Sequence, residues 1–124
     1  MSTILVVEDN ALNMELATDL LEAGGHRVRQ AGTAEAGLEI ARSEPIDLIL
    51  MDIRLPGMDG FQALAALRSH EQTAGILTVA LTAEAMNGDG HTVLRAGFDG
   101  YLSKPIDTRN FLREIARLLG SSTS

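Results

Sequence analysis

Five short apolar runs alternate with amphipathic stretches along the chain, and this pattern predicts an alternation of strands and helices. We expect β-strands over residues 3–7, 27–31, 46–51, 76–81 and 101–102. Most of these runs are nearly continuous in apolar residues instead of alternating with polar ones. Such continuity is typical of strands that are buried on both faces, as in a parallel sheet covered by helices.

The stretches that follow the predicted strands carry apolar residues at helical spacing. The stripes are clearest in the first and last of them, which carry Leu12, Leu16, Leu20 and Leu21, and Phe111, Ile115, Leu118 and Leu119. Thr33 is a candidate N-cap of the second helix, and Gly97 is a candidate C-terminal cap of the fourth. We expect Gly24 and Gly25 to end the first helix and Gly120 to end the last.

The fourth helix has the weakest signal. Asn87, Gly88, Asp89 and Gly90 lie in its expected first turns, and each glycine costs about 1 kcal/mol relative to alanine in a helix. Two interpretations remain open: a mobile segment, or a plain loop before a helix that starts late.

Strand and helix alternation predicts an α/β fold, with a mostly parallel sheet and helices on both faces. The chain has 124 residues, which suits one domain with one core. We place that domain at residues 1–120 and expect residues 121–124 to form a disordered polar tail.

Composition narrows the class of protein. A net charge of −7 argues against a broad basic surface for nucleic acid and is compatible with capture of a divalent cation. The absence of cysteine excludes disulfides and thiolate metal sites. The sequence has no signal-peptide pattern and no apolar run near the roughly 20 residues of a membrane span. We therefore expect a cytoplasmic protein with neither a nucleic-acid nor a membrane partner.

Polar residues collect at the predicted carboxyl ends of four strands. Glu8 and Asp9 follow the first strand, Asp52 ends the third, Thr82 ends the fourth, and Lys104, the only lysine of the chain, ends the fifth. Each has a plain structural explanation by itself, such as a capping acid or a β-branched strand residue. In an open parallel sheet, however, ligands bind in the crevice outside these strand ends, so we expect the five side chains to share one site.

The residue types in this group indicate phosphoryl chemistry. Carboxylates in one crevice repel each other unless a cation joins them, and oxygen ligands suit Mg²⁺, with Mn²⁺ as an alternative. Asp52 ends the central, most apolar strand and is the best-placed phosphoryl acceptor. Lys104 would pair with the phosphoryl oxygens, and the Thr82 hydroxyl would donate to one of them. The three histidines fall in unrelated segments, and we expect them at the surface: His26, His70 and His91.

The chain resembles a response-regulator receiver domain over essentially its whole length. The matching motifs are Val-Glu-Asp-Asn at 7–10, the run 47–60 that contains Asp52, Leu-Thr-Ala at 81–83, and Lys-Pro at 104–105. The resemblance implies a five-stranded parallel sheet in the flavodoxin-like order 2-1-3-4-5. It also implies that a phosphohistidine donor, either a histidine kinase or a histidine phosphotransfer protein, phosphorylates Asp52.

The resemblance further implies a ligand set for the metal. Mg²⁺ would be held by Asp9, Asp52 and the backbone carbonyl of Arg54, with Glu8 acting through water. The bond between Lys104 and Pro105 resembles the family's cis peptide, an isomer that X-Pro bonds adopt in a minority of cases.

The resemblance also implies a conformational change near the phosphoryl group, and two further residues flank that group. Thr82 is expected to move toward it, and Tyr101 to turn inward, which would reshape the surface of the fourth helix, fifth strand and fifth helix for an effector protein. The alternative is that Tyr101 is a static, half-buried strand residue. Arg54 and Glu84 flank the site, and we expect them to shield the acyl phosphate from water; the alternative is that both are solvated and contribute little.

The leading interpretation is a phosphorylation switch, a monomer or weak dimer that is an enzyme only in its own phosphorylation and slow dephosphorylation. Residues 8–14 and 98–106 are similar to stand-alone receivers, whereas the spacing of Asn10 and Asn13 also resembles receivers of hybrid kinases. A phosphorelay intermediate is therefore one alternative. An aspartate-nucleophile phosphohydrolase is less favoured, because Arg54 stands where many such enzymes have a second Asp. A flavodoxin-like cofactor carrier is disfavoured by the carboxylates after the first strand.

Overall fold

The computed structural model describes residues 2–83 and 89–121. Strands and helices alternate throughout, in the order β1 Thr3–Val7, α1 Ala11–Ala23, β2 Arg27–Ala31, α2 Ala34–Ser43, β3 Leu48–Asp52, α3 Gly60–Arg68, β4 Leu77–Thr82, α4 Asp89–Ala96, β5 Gly100–Ser103 and α5 Phe111–Ser121. The five strands form one parallel sheet in the order β2-β1-β3-β4-β5. The predicted fold class and strand order are therefore confirmed.

The third strand differs from its prediction in a way that matters for the site. β3 begins at Leu48 instead of residue 46, and Asp47, directly before it, bonds to Thr3 at the start of β1: its N–H donates to the carbonyl oxygen of Thr3, and its carboxylate accepts from the N–H of Thr3. At its other end β3 includes Asp52, which is paired with Leu81 of β4. The backbone of Asp52 is therefore held on the sheet and is not part of a loop.

The predicted helix ends are mostly confirmed. The Thr33 hydroxyl accepts a hydrogen bond of 3.1 Å from the backbone N–H of Ala36, so it caps α2. Gly97 follows α4 with a φ of 113°, the left-handed conformation that glycine adopts most easily. Gly120 was predicted to end the last helix, and this is wrong, since α5 continues through Gly120 to Ser121.

The weakly predicted fourth helix is present from Asp89 onward and includes Gly90. Asn87 and Gly88 lie outside the described residues, so both interpretations of the preceding segment remain predictions. The expected tail over residues 121–124 also lies outside them, apart from residue 121, which belongs to α5 and not to the tail.

Two apolar cores cover the two faces of the sheet. Alternate strand residues enter different cores, because successive side chains of a strand point to opposite faces; Leu5 and Val7 face α2 and α3, whereas Ile4 and Val6 face α1 and α5. All five residues of β3 are buried. Burial of each large aliphatic side chain contributes about 1.5–3 kcal/mol, so the sheet is a firm support for the groups at its rim. None of the helices in the described ranges has the length and apolar character that crossing a bilayer requires.

Candidate functional site

The carboxyl ends of four neighbouring strands meet at one edge of the sheet and carry the polar residues singled out from the sequence. Glu8 directly follows β1, Asp52 ends β3, Thr82 ends β4, and Lys104 directly follows β5. Glu8, Asp52 and Thr82 are buried, whereas Asp9 is exposed. The structure therefore places ionisable groups where the sheet gives them a rigid backbone and limited water.

Lys104 links two of these strand ends. Its Nζ donates a hydrogen bond of 2.7 Å to Oδ2 of Asp52 and lies 3.0 Å from Oε1 of Glu8. Its backbone N–H donates to the carbonyl oxygen of Thr82 over 2.9 Å, which extends the β4–β5 pairing by one residue. The peptide bond from Lys104 to Pro105 is cis. These two side-chain contacts place the Lys104 ammonium between two buried carboxylates.

Asp52 is an ionised carboxylate at neutral pH. Its Oδ1 accepts a hydrogen bond of 2.9 Å from the backbone N–H of Arg54. Burial is the largest single influence on this carboxyl and raises its pKa. Hydrogen bonds from Glu8 and Lys104, with the bond from the backbone, outweigh burial and leave the pKa of Asp52 below its usual value.

The pKa of Glu8 is shifted in the opposite direction from that of Asp52, to above its usual value. Burial and a hydrogen bond with Asp52 raise the pKa of Glu8, and the contacts with Lys104 and with the backbone N–H of Asn10 only partly offset them. Its Oε2 accepts that N–H over 3.2 Å. Within the described part of the chain its buried Oε1 accepts no hydrogen bond and has only the ionic contact with Lys104. Each oxygen of Glu8 therefore has one contact, and an oxygen with one contact can accept a further hydrogen bond.

The acidic side chains suit a hard divalent cation. Glu8, Asp9 and Asp52 each offer one carboxylate oxygen, and these oxygens lie within 4.8 Å of one another. Mg²⁺ binds through one or two carboxylates and keeps several waters, so a cluster with one exposed member is an appropriate site for it. Oε1 of Glu8, which contacts Lys104, can also accept a hydrogen bond from a water bound to the same ion. Arg54 is exposed beside this cluster.

The two expected switch residues lie on neighbouring strands. Thr82 is 1% exposed at the end of β4, next to Ser103 of β5. Tyr101 of β5 is 38% exposed, and its ring lies against Gly90 of α4. The proposed partner of Arg54, Glu84, lies outside the described residues.

Two residues that position the site were not assigned a role from the sequence. Asn10 is the N-cap of α1, and its backbone N–H also orients Glu8; an Asn directly before an apolar stripe is a recognisable cap signal. At Gly60 a Cβ would lie 2.6 Å from Cα of Ile53 and 2.9 Å from the carbonyl oxygen of Asp52. Only glycine lets α3 begin this close to the backbone of Asp52, and no sequence pattern indicates such a contact.

The sheet order and the acidic residues at its edge are those of a known class of signalling domain, and comparison with known families agrees. The profile described as the response regulator receiver domain matches residues 4–116. The chain belongs to this family, which acts in two-component signal transduction.

Individual relatives resemble the chain over almost its full length. The polar-differentiation response regulator DivK of Brucella ovis is 38% identical over 120 residues, which cover 97% of this chain and 98% of the relative. Among solved structures, the receiver domain of the sensor histidine kinase PA1611 from Pseudomonas aeruginosa has a TM-score of 0.87 and 35% identity, covering 96% of this chain and 98% of that one; a magnesium ion is coordinated in its active-site cleft. A CheY-like receiver from Methanospirillum hungatei has a TM-score of 0.86 and 31% identity, covering 99% and 97%. These likenesses fit a signalling switch better than a catalytic enzyme.

Proposed function

We propose that this protein is a Mg²⁺-dependent phosphoacceptor in which Asp52 takes a phosphoryl group from a phosphohistidine donor and thereby changes the surface of α4, β5 and α5 for protein partners. The observation that supports it best is the buried Asp52 carboxylate held by Lys104 beside Glu8 and Asp9. The expected surroundings are cytoplasmic, and the expected state is a monomer or weak dimer.

Phosphoryl transfer to Asp52 needs an ionised carboxylate and partners for the phosphoryl charge. The lowered pKa of Asp52 keeps its oxygens free of a proton near neutral pH. One oxygen forms the new bond to phosphorus while the bond from phosphorus to the donor's imidazole nitrogen breaks, and that nitrogen keeps the electron pair. Lys104, already beside Asp52, then pairs with oxygens of the phosphoryl group, and the Thr82 hydroxyl donates a hydrogen bond to one of these oxygens.

The metal would be held by Asp9, Asp52 and the backbone carbonyl of Arg54, with Glu8 acting through water. When bound, Mg²⁺ supplies charge that offsets the negative oxygens of the phosphoryl group and of the clustered carboxylates. The magnesium site of the Pseudomonas receiver, whose fold matches this one with a TM-score of 0.87, supports this assignment.

Phosphorylation would act on a pre-existing equilibrium between two arrangements of Thr82 and Tyr101. A phosphoryl group that interacts better with one arrangement shifts the populations toward it, and a useful shift needs a difference of several kcal/mol. Tyr101→Ala should leave phosphorylation intact and weaken effector binding. Equal effector binding by that variant would reject the switch role.

Incubation with Mg²⁺ and acetyl phosphate, followed by intact mass measurement, tests the chemistry directly. The wild type should gain one phosphoryl group, with acetate as the leaving group, and Asp52→Asn should gain none. Asp19→Asn, an exposed carboxylate on α1, is the matched control and should behave as the wild type. Phosphorylation of the Asp52→Asn protein, or none in the wild type, would reject the proposal.

A phosphorelay intermediate is the second candidate. The 35% identity with the receiver of a sensor histidine kinase favours it. Mixing the phosphorylated protein with a histidine phosphotransfer protein distinguishes the two: rapid transfer to the partner's histidine supports a relay, and retention of the phosphate on Asp52 supports a switch.

Repeated turnover of a small phosphomonoester would instead support the phosphohydrolase alternative.

A further inference from the structure

Gly90 is a glycine in a helix whose backbone does not need one. It is the second residue of α4, and it is not among the glycines with positive φ, which in the described residues are Gly25, Gly57 and Gly97. A helical glycine is unfavourable relative to alanine because it loses more conformational freedom on folding. Some contact other than the backbone conformation must therefore account for glycine at this position.

That contact is the ring of Tyr101. A Cβ added at Gly90 would lie 2.6 Å from Cζ, 2.9 Å from Oη and 3.0 Å from Cε1 of Tyr101. These distances are far below van der Waals contact, so the ring and a side chain cannot occupy this place together. The backbone of Tyr101 is fixed opposite Ala80 in the sheet, and the atoms that overlap are at the far end of its side chain, so rotation of the ring is the least costly way to relieve the overlap.

Space for such a rotation exists around the ring. A cavity of about 300 Å³ between β5 and α5, lined by Ser103, Ile106 and Asn110 among others, borders Tyr101. A second, of about 360 Å³, borders it toward Leu94 and Arg117. A ring displaced from Gly90 therefore has other positions available. The contact between the ring and α4 decides whether the ring stays at Gly90 or moves to one of them.

We propose that Gly90 is a positioning residue for Tyr101: its missing side chain permits the outward position of the ring and so maintains the resting form of the α4, β5 and α5 surface. The inference rests on the proposed switching role of Tyr101 for its functional meaning, but the restriction on the ring is independent of it. Any side chain at position 90 removes the outward position and leaves the protein biased toward the other arrangement before phosphorylation.

The chain offers a direct reporter, because Tyr101 is its only tyrosine and it has no tryptophan. Protein labelled with ¹³C-tyrosine gives ring signals from Tyr101 alone. In the wild type we expect an NOE between the ring protons and Hα of Gly90. In Gly90→Ala we expect the ring signals to shift without phosphate, whereas Gly120→Ala should leave them in place. Gly120 is the matched control because it is also helical and a Cβ there meets nothing within 4 Å.

A double-mutant cycle covers the case in which Gly90→Ala is too unstable for NMR. Gly90→Ala is made both in the wild type and in the Tyr101→Ala variant, and the urea midpoint is measured in each. Alanine favours the helix, so the midpoint should rise, but it should rise less in the wild type, where the ring of Tyr101 opposes the new methyl group. In the Tyr101→Ala background its effect should approach that of Gly120→Ala. Unchanged ring signals, or the same midpoint change in both backgrounds, would overturn the proposal.

Phosphorylation of the wild type separates this inference from the function on which it depends. If acetyl phosphate with Mg²⁺ leaves the tyrosine ring signals of the wild type unmoved while Gly90→Ala shifts them, Gly90 restricts the ring and the switching role of Tyr101 fails. If phosphorylation moves the ring signals and Gly90→Ala does not, the switching role stands and the inference about Gly90 is wrong.

Discussion

Lys104 donates a 2.7 Å hydrogen bond to Oδ2 of Asp52 across 52 positions of sequence. The same ammonium lies 3.0 Å from Oε1 of Glu8, so one cation serves two buried carboxylates. Its own pKa is affected most by burial, which lowers it, but the hydrogen bonds to Asp52 and Glu8 leave the pKa of Lys104 raised. Lys104 is therefore charged throughout the neutral range and offsets the charge of the carboxylates that it contacts.

Lys104→Met should destabilise the protein at neutral pH. Removing one partner of a buried ionic cluster leaves uncompensated charge, and we expect a loss of about 3 kcal/mol in the free energy of unfolding, measured with urea in the absence of Mg²⁺. Lys104→Arg keeps the charge and should lose less, and Arg27→Met on the exposed face of β2 should change little. A loss in Lys104→Met no larger than in Arg27→Met would show that the cluster is screened by water.

Glu8→Gln should stabilise the protein, and the gain should depend on pH. Because folding raises the pKa of Glu8, its favourable contribution is complete below its unfolded pKa of about 4.3 and is lost as pH rises through the folded pKa. Near pH 7 Glu8 therefore costs stability, because the unfolded chain ionises it more readily than the folded protein does, and we expect neutral glutamine to add about 1 kcal/mol to the free energy of unfolding.

On acidification to about pH 3, well below the unfolded pKa, the gain from Glu8→Gln should disappear, since Glu8 is then protonated in both states. Asp52 behaves in the opposite sense: its pKa is lowered, so its contribution is present above about 3.9 and is lost as pH falls through the folded pKa. Urea midpoints of the wild type, Glu8→Gln and the exposed control Glu39→Gln at several pH values measure this difference. A gain independent of pH would mean that ionisation of Glu8 is not its source.

Asp9→Asn should separate metal binding from the repulsion among the carboxylates. Without metal we expect the variant to be more stable than the wild type, because one of three clustered acidic groups is removed. Mg²⁺ at about 100 times its dissociation constant should add about 2.7 kcal/mol to the unfolding free energy of the wild type. Thermal unfolding with Mg²⁺ and with EDTA should show this gain in the wild type and in Asp19→Asn, but much less in Asp9→Asn. An equal gain in Asp9→Asn would place the metal elsewhere.

Replacing both Arg54 and Glu84 with alanine should speed loss of the phosphate. We expect that these flanking side chains exclude water from the acyl phosphate, so the double variant should dephosphorylate up to about tenfold faster, which corresponds to about 1.4 kcal/mol in the barrier. Decay of the phosphorylated mass after removal of acetyl phosphate measures the rate. A double replacement of Glu39 and Arg42, exposed on α2, is the control, and an unchanged rate in the Arg54 and Glu84 variant would reject the shielding role.

Hydrophobic periodicity and capping residues were sufficient to predict most of the strands and helices. β1 and β2 have the predicted bounds, and Thr33 and Gly97 have the predicted capping roles. Two of the errors lie where an element's end makes longer-range contacts. β3 starts at Leu48, directly after Asp47, which bonds to Thr3, and β4 runs one residue later than predicted, to Thr82, which pairs with Ser103. Neither partner is close in sequence, so neither shift could be read from periodicity.

The sequence by itself determined the alternation of strand and helix, and with it the edge at which Glu8, Asp52 and Lys104 come together. It did so because hydrophobic periodicity is a local property and parallel strands share one carboxyl edge. The tertiary structure alone decided that Glu8 is buried while Asp9 is exposed, and that the ring of Tyr101 lies on Gly90. These details depend on the distance and angle at which separate elements pack, which arise from the fit of many side chains across the core.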